Sequence, residues 1–395
     1  MSNAVLRGLQ TGLLTGVLEA NDFGGGSPFF NFRPGDGGNV ATLTAAKRAG
    51  GRIRAGFIGD STTMGYNAGG TGYTGAEVLT VSNKMADVLA ACGMPTNKDI
   101  IFSHHGPSSL AQQSAYDPRI TAYTNWGFDG DTGISGNAWR ILSPNVDPLS
   151  FVLPGTHDKL TIYYQQRTAN QDSMVVKDGG TTIGTVNTVG ASTAFVSVTL
   201  DLNGRGSGKT ISLERAGLVA QKIEVWGIHA WDSQTAAVDI FNFGRFGTTT
   251  SAWAVNQFPW SNLNVIPLLA MDVWFVNETS NDMLTSNNVP VETAMTNLGL
   301  TVDACKANGK SCVLVNPAKG QQPNYGDASV QAAYSAGLRA LALAKDVPLI
   351  DEGAVFGDYV RASTKGWFAS GDPIHPSAVA NDVRAALGAE LILTA

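Results

Sequence analysis

The sequence predicts an α/β protein, a parallel sheet layered between helices, into which an all-β sandwich is inserted. Three observations carry this. Beyond residue 233, apolar runs at 271–276, 311–315 and 347–350 alternate with helical stretches near 291–308 and 327–345, the rhythm of β-α-β units in a parallel sheet. An earlier apolar run, 53–58, breaks at Gly59-Asp60-Ser61 into a glycine-flanked turn before a helix, as strands of such sheets do at their carboxyl edge. Between 126 and 232, short β-type segments separated by turn residues follow one another with no helical pattern.

In chain order, residues 1–40 form a first part. Val5, Leu6, Leu9, Leu13, Leu14, Val17 and Leu18 make an apolar face at helical spacing, and Gly8, Gly12 and Gly16 leave one stripe nearly bare. Such a stripe lets another helix approach closely. The segment is too short and interrupted for a membrane span. It also lacks the charged start and small-residue cleavage site of a signal peptide. It reads first as a helix docking on its own domain or an identical subunit, then as a partner-binding segment, then as an export signal. Residues 21–39, rich in Gly with Pro28 and Pro34, read as a linker or irregular arm.

The α/β part covers 41–125 and 233–395. It opens with a short helix at 41–49 and a first strand at 52–59. A helix at 77–92 follows, carrying Leu79, Met85, Val88 and Leu89 and ended by Gly93. The insert, 126–232, offers strands at 149–153, 159–167, 173–177, 181–186, 194–202, 210–214 and 221–230, with Asp178-Gly179-Gly180 and Asn203-Gly204 as hairpin turns. Short strands at this even spacing argue for a β-sandwich. The α/β texture then resumes with a strand at 237–241. The last helix repeats Val379, Val383, Leu387 and Leu391.

The chain has 395 residues, 26 basic and 32 acidic, for a net charge of −6. No Lys/Arg-rich run is present, which excludes nucleic acid as a partner. Charged residues are 15% of the chain, against about 25% in an ordinary globular protein. With 46 glycines, this suits a loop-rich, weakly charged surface and an extracellular or virion-associated location rather than the cytosol. Cys92, Cys305 and Cys312 form no Cys-x-x-Cys pair and read as free thiols or, for the last two, a bridge. No His, Cys or carboxylate cluster has metal-ligand spacing, so no metal or other cofactor is implied.

Two distant segments carry the chemistry. Ser61 sits on the strand-to-helix turn, and Asp372-Pro373-Ile374-His375-Pro376 precedes the last helix. In an open parallel sheet both are carboxyl-edge loops, so they can meet. A hydroxyl, an imidazole and a carboxylate are what serine acyl transfer needs. Of the other histidines, the adjacent His104 and His105 would point opposite ways on an extended segment. His157, in a turn, and His229, in a strand, suit solvated or core roles.

Two further loops complete a pattern. Asn242-Phe243-Gly244-Arg245-Phe246-Gly247-Thr248 follows the strand at 237–241, and Thr279-Ser280-Asn281-Asp282 follows the one at 271–276. With Gly59-Asp60-Ser61 before them and Asp372-x-x-His375 after, the chain resembles the SGNH (GDSL-like) hydrolase superfamily over most of 50–125 and 233–395. The resemblance implies a flavodoxin-like three-layer sandwich, here with a jelly-roll-like insert. It makes Ser61 the nucleophile, His375 the general base and Asp372 its orienting partner. The oxyanion hole would comprise the backbone amides of Ser61 and Gly247 and the side-chain amide of Asn281. Gly244 competes with Gly247, which is preferred because it lies five residues after Asn242. Thr279 stands where the family usually has glycine, so the loop around Asn281 is expected to have its own shape.

The resemblance is to polysaccharide-active members, some associated with phage tails, and the implied activity is O-acetyl removal from an acetylated glycan. Trp139, Tyr163, Tyr164, Trp226 and Trp231 of the insert are candidate sugar platforms. Tyr163 and Tyr164 are strand neighbours, so only one can face inward. Tyr164 and Trp226, with Asp60, are the candidate substrate contacts. Two other readings stay open: a lipolytic esterase or thioesterase with an acyl groove of Phe241, Phe243, Phe246 and Trp274, and a structural or adhesive virion component. A homo-oligomer or virion assembly would form through the N-terminal helix.

Overall fold

The strands of the central sheet are apolar almost throughout because both faces are covered. Along Ile53–Gly59, the residues Ile53, Ala55 and Phe57 join Val273, Phe275 and Val313 in one core, while Ile58 joins Trp274, Val276 and Leu314 in the other. Helices Ala41–Arg48, Val81–Ala91 and Ala378–Thr394 cover the first face; Val291–Lys306 and Ala328–Lys345 cover the second. Gly56 is required between them: a Cβ there would lie 2.6 Å from the Trp274 ring. These features come from a computed structural model of the chain, which describes residues 28–130, 134–141, 147–169, 172–217, 222–321 and 324–395. The expected glycine-striped helix, and any assembly through it, lies outside the described residues.

The sheet runs Phe29–Phe30, Leu349–Asp351, Ser311–Asn316, Val273–Asn277, Ile53–Gly59, Val238–Asn242, Thr96–Asn97. Neighbours are parallel except the first pair. From Ile53–Gly59 the chain steps to one side, to Val238–Asn242, then to the other through Val273–Asn277, Ser311–Asn316 and Leu349–Asp351. This is the flavodoxin-like 2-1-3-4-5 order, whose ligand crevice opens at the carboxyl end of the first strand.

Three expectations for this part change. The arm is not all linker, because Phe29 and Phe30 pair antiparallel with Ile350 and Leu349 and make the sheet mixed. The helix expected over 77–92 is a 3₁₀ turn, Glu77–Leu79, then a helix from Val81, where the Thr80 hydroxyl caps the Asn83 amide at 3.1 Å. In the last helix Val383, Leu387 and Leu391 are buried but Val379 is 53% exposed. A four-residue repeat rotates about 40° per step on a 3.6-residue helix, so its end leaves the core face. The three cysteines are free and buried, in line with the free-thiol reading, and no bridge joins Cys305 to Cys312.

Two antiparallel sheets occupy the middle of the chain. One runs Thr181–Asn187, Ser173–Asp178, Lys209–Arg215, Leu149–Leu153, Ile120–Ala122; the other runs Ala194–Gly206, His157–Gln166, Ile223–Trp231, Asn137–Ile141, Trp126–Gly130, with Ile100–Phe102 also on Ile223–Trp231. They share a core that includes Trp139, Phe151, Leu160, Ile162, Ile211 and Val225. Pairing therefore begins at Ile100, ahead of residue 126, because Ile100–Phe102 bonds to Gly227–His229 and Ile120–Ala122 to Phe151 and Ser150. Trp126–Gly130 and Asn137–Ile141, absent from the expected strands, are strands as well.

Asp178-Gly179-Gly180 is a hairpin turn, with φ of +57° and +84° at the glycines. Asn203-Gly204 is not: it lies at an irregularity within Ala194–Gly206, and the strands on either side of Ser207-Gly208 belong to different sheets. The outer face of the second sheet packs on the α/β part through Phe102, Tyr163, Phe195 and Trp226 against Phe241, Phe243 and Trp274.

Candidate active site

The first strand ends at Gly59, where only glycine fits: a Cβ would meet the Asn277 carbonyl oxygen at 2.4 Å. The chain then turns into the one-turn helix Ser61–Met64, closed by Gly65 in the left-handed region at φ +81°. Asp60 caps that turn by accepting from the Thr62 amide at 2.8 Å. It is fully buried, and burial pushes its carboxyl above the usual range. Asp60 thus shapes the turn and cannot touch a substrate as expected of it.

The turn brings Ser61 Oγ to 2.9 Å from His375 Nε2, and His375 Nδ1 lies 2.7 Å from Asp372 Oδ2. The other carboxylate oxygen accepts from the Ile374 and His375 amides at 2.8 and 3.0 Å, which curls the loop so that the ring faces Ser61. Burial alone would raise the Asp372 carboxyl, but the His375 and Asn67 hydrogen bonds outweigh it and hold it well below the usual carboxylate range. An ionised Asp372 accepts the hydrogen bond from Nδ1–H, which leaves the Nε2 lone pair facing the hydroxyl. Such a relay can remove a proton from Ser61 and return it to a leaving group.

Asn67 escaped the sequence reading. It adopts φ +59°, donates from Nδ2 to Asp372 Oδ2 at 2.7 Å, and accepts the Gly72 amide at 3.2 Å. The signal was an asparagine in a glycine-rich loop, since asparagine tolerates left-handed backbone. Tyr66 also went unremarked: its ring stands edge-on to His375 at 5.0 Å and to Phe246 and Tyr73 at 4.8 Å each. Arg384, only 3% exposed, supports the turn from below. It donates to the Thr62 carbonyl at 3.1 Å and pairs with Glu352 at 2.8 Å.

The Asn242 loop lies along the end of the first strand, with Phe243 and Arg245 amides donating to Phe57 and Gly59 at 2.8 Å. Its two glycines differ. The Gly244 amide is taken by Asn242 Oδ1 at 2.9 Å, and a Cβ on Gly244 would lie 2.3 Å from the Met64 nitrogen. Gly247 has φ +70° and open space around it. Among the described residues, no protein acceptor takes the Gly247 N–H. Asn281 donates one amide hydrogen to the Thr248 carbonyl at 2.8 Å, which leaves a second. Asp282, pushed up to about 6 by burial, ties the loops by accepting from the Thr250 amide at 2.9 Å and hydroxyl at 2.6 Å. Thr279 is fully buried.

Among the described residues, none of the others weighed from the sequence hydrogen-bonds to Ser61, His375 or Asp372. His104 is buried, 3.0 Å from the Gly244 carbonyl, and burial pushes it down to about 4; His105 meets the Phe246 carbonyl at 3.0 Å. His157 pairs with Asp99, and His229 is fully buried beside Asp239. Tyr164 is 7% exposed in the core between the two antiparallel sheets and Trp226 is fully buried, stacked on Phe195 at 4.7 Å, so neither is a sugar platform. Tyr163 and Tyr164 are both buried because both faces of their strand are covered. Phe241, Phe243 and Trp274 fill the core and line no acyl groove. Among the described residues, no group of three His, Cys, Asp or Glu could hold a metal ion, and no helix is long and apolar enough to cross a membrane.

Sheet order and sequence blocks together resemble those of the SGNH (GDSL-like) hydrolases, a class of carboxylic ester hydrolases. Residues 220–383 match the GDSL-like Lipase/Acylhydrolase family. Among solved structures, a peptidoglycan O-acetylesterase is similar over 93% of this chain and 100% of its own, with 13% identity and a TM-score of 0.66. A lipase/acylhydrolase from Enterococcus faecalis is similar over 39% of this chain and 75% of its own (19% identity, TM-score 0.33). A carbohydrate acetylesterase from Sinorhizobium meliloti is similar over 39% and 77% (18% identity, TM-score 0.28). No curated protein matches the sequence.

Proposed function

We propose that this chain is a serine esterase that removes acetyl groups from an O-acetylated carbohydrate or polysaccharide. The observation that carries the reading is the unbroken relay from Ser61 through His375 to Asp372, at 2.9 and 2.7 Å. Ser61 Oγ attacks the acetyl carbonyl as His375 Nε2 takes its proton. The amides of Ser61, Gly247 and Asn281 receive the charge that develops on the carbonyl oxygen, each worth roughly 3 kcal/mol of barrier. As the tetrahedral species collapses, the bond to the sugar oxygen breaks and His375 protonates that oxygen. Water, deprotonated by His375, then attacks the acetyl-enzyme and frees acetate and Ser61.

The similarity across 93% of the chain to a peptidoglycan O-acetylesterase supports a glycan substrate. In this reading residues 41–99 and 233–395 form the hydrolase and 100–232 the inserted β-sandwich. The test is acetate release from O-acetylated peptidoglycan and from p-nitrophenyl esters of two to eight acyl carbons, by wild type and Ser61→Ala. Serine-dependent turnover that falls sharply beyond acetate is expected. Preference for long acyl chains would move the assignment to a lipolytic esterase. Turnover that survives Ser61→Ala would remove Ser61 as nucleophile, and no turnover at all would favour binding or virion assembly.

A further inference from the structure

Three part-exposed rings border the Ser61 site and take no share in the proton relay. Tyr66 stands edge-on to the His375 imidazole at 5.0 Å and meets Tyr73 and Phe246 at 4.8 Å each, while Tyr73 lies 6.0 Å from Phe246. The cluster thus runs from the general base to Phe246, whose next residue is the exposed Gly247. Backbone contacts hold it there: the Tyr66 amide donates to the Ser61 carbonyl at 3.0 Å, and the Phe246 amide to the His105 carbonyl at 3.1 Å. Gly106 lets the rings meet, because a Cβ on it would lie 2.6 Å from Phe246 Cβ and 2.9 Å from the Tyr73 hydroxyl.

Position assigns these rings to one half of the ester. His375 Nε2 takes the Ser61 proton and returns it to the departing oxygen, so the alcohol half must lie beside the imidazole. The ring next to the imidazole is Tyr66. The surface suits a molecule that is apolar on its faces and polar at its rim. Among the described residues, the Tyr66 and Tyr73 hydroxyls have no protein partner, whereas the buried Tyr116 and Tyr334 hydroxyls donate to the Met64 and Val289 carbonyls at 2.8 and 2.6 Å. A fatty alcohol would cover the two free hydroxyls without bonding to them, which costs affinity. A hexopyranose offers C–H faces to the aromatic rings and its own hydroxyls to the phenols.

We propose that Tyr66, Tyr73 and Phe246 form the subsite for the alcohol half of the substrate, and that it takes one hexopyranose ring, stacked on the aromatic faces and hydrogen-bonded to the two phenols. The inference rests on the esterase reading above, since the orientation of the ester at His375 is what places the sugar. It assigns glycan recognition to the α/β part, beside the nucleophile.

Calorimetric titration of Ser61→Ala tests the subsite apart from turnover. The probes are methyl 6-O-acetylglucoside and cyclohexylmethyl acetate, which keeps the ring and lacks the hydroxyls. The sugar ester should bind saturably. Adding Tyr66→Phe or Tyr73→Phe, each of which removes one hydroxyl free of protein contacts, should weaken the sugar ester about two- to tenfold, the loss of one hydrogen bond, and leave cyclohexylmethyl acetate within about twofold. Tyr66→Leu should weaken both esters about tenfold. No saturable sugar binding, unchanged sugar affinity in all three variants, or equal weakening of both esters by the two hydroxyl removals would overturn the proposal. The esterase reading fails separately. Ring-dependent binding of the sugar ester with no acetate released by wild type supports the subsite and removes that reading; acetate release alongside variants that bind as tightly as their parent does the reverse.

Discussion

Asn67 and His375 converge on one oxygen of Asp372, each donating to Oδ2 at 2.7 Å. The asparagine fixes the carboxylate that fixes the imidazole, and it draws off part of the negative charge His375 would otherwise meet. Asn67→Ala should keep the fold and lower kcat about ten- to a hundredfold, the usual loss for a supporting hydrogen bond of this type. The loss should fall on kcat and leave KM near the wild-type value. A rise in KM with kcat unchanged would deny Asn67 its role in holding Asp372.

Asn281 and the two glycines of the Asn242 loop should separate by effect. Asn281→Ala should cost about 10²–10³ in kcat with little change in KM, as loss of one oxyanion donor does. Gly247→Ala meets no atom but must hold φ +70°, at about 1–2 kcal/mol. Its loss should fall on kcat. Gly244→Ala drives a methyl to 2.3 Å from the Met64 nitrogen, so stability and turnover should fall together. Thermal melts alongside kinetics distinguish the two glycines; equal melts would deny Gly244 its packing role.

Arg384 is buried with Glu352 beneath the Ser61 turn. Arg384→Met leaves a buried carboxylate without its partner and should cost about 3–5 kcal/mol. Adding Glu352→Leu should restore much of that stability, measured by denaturant midpoint, without restoring turnover, because the contact to the Thr62 carbonyl stays broken. Full recovery of turnover would deny Arg384 a positioning role.

His104 predicts a pH dependence of stability. Burial pushes its imidazole from 6.5 down to about 4. The unfolded chain therefore binds a proton that the folded one refuses between those values. The stability this residue contributes is complete above about 6.5 and is lost as pH falls toward 4, by up to about 1.4 kcal/mol per pH unit. Wild type should lose stability more steeply over that window than His104→Asn. Parallel curves would show that His104 is not buried in neutral form.

The sheet and both chemical loops were legible because they depend on local signals: apolar runs, a glycine-flanked turn, and an acid three residues before a histidine. Ser61, Asp372 and His375 needed only the rule that carboxyl-edge loops share a crevice. What escaped depends on contacts distant in sequence. Asn67 meets Asp372 across 305 residues, and Arg384 reaches Thr62 across 322. Trp226 and Tyr164 were misread for the same reason, since an aromatic on a strand cannot reveal that another layer covers it. Trp126–Gly130 was hidden by its two glycines, which sheet pairing tolerates.

The brevity of the outermost strands of the central sheet has a consequence for behaviour in concentrated solution. One border is Phe29–Phe30 and the other Thr96–Asn97, two residues each. Strand-by-strand aggregation needs a long row of unpaired backbone groups as a template. Neither border provides one, so the apolar runs that form this sheet should stay out of fibrillar self-association for as long as the two short strands remain in place.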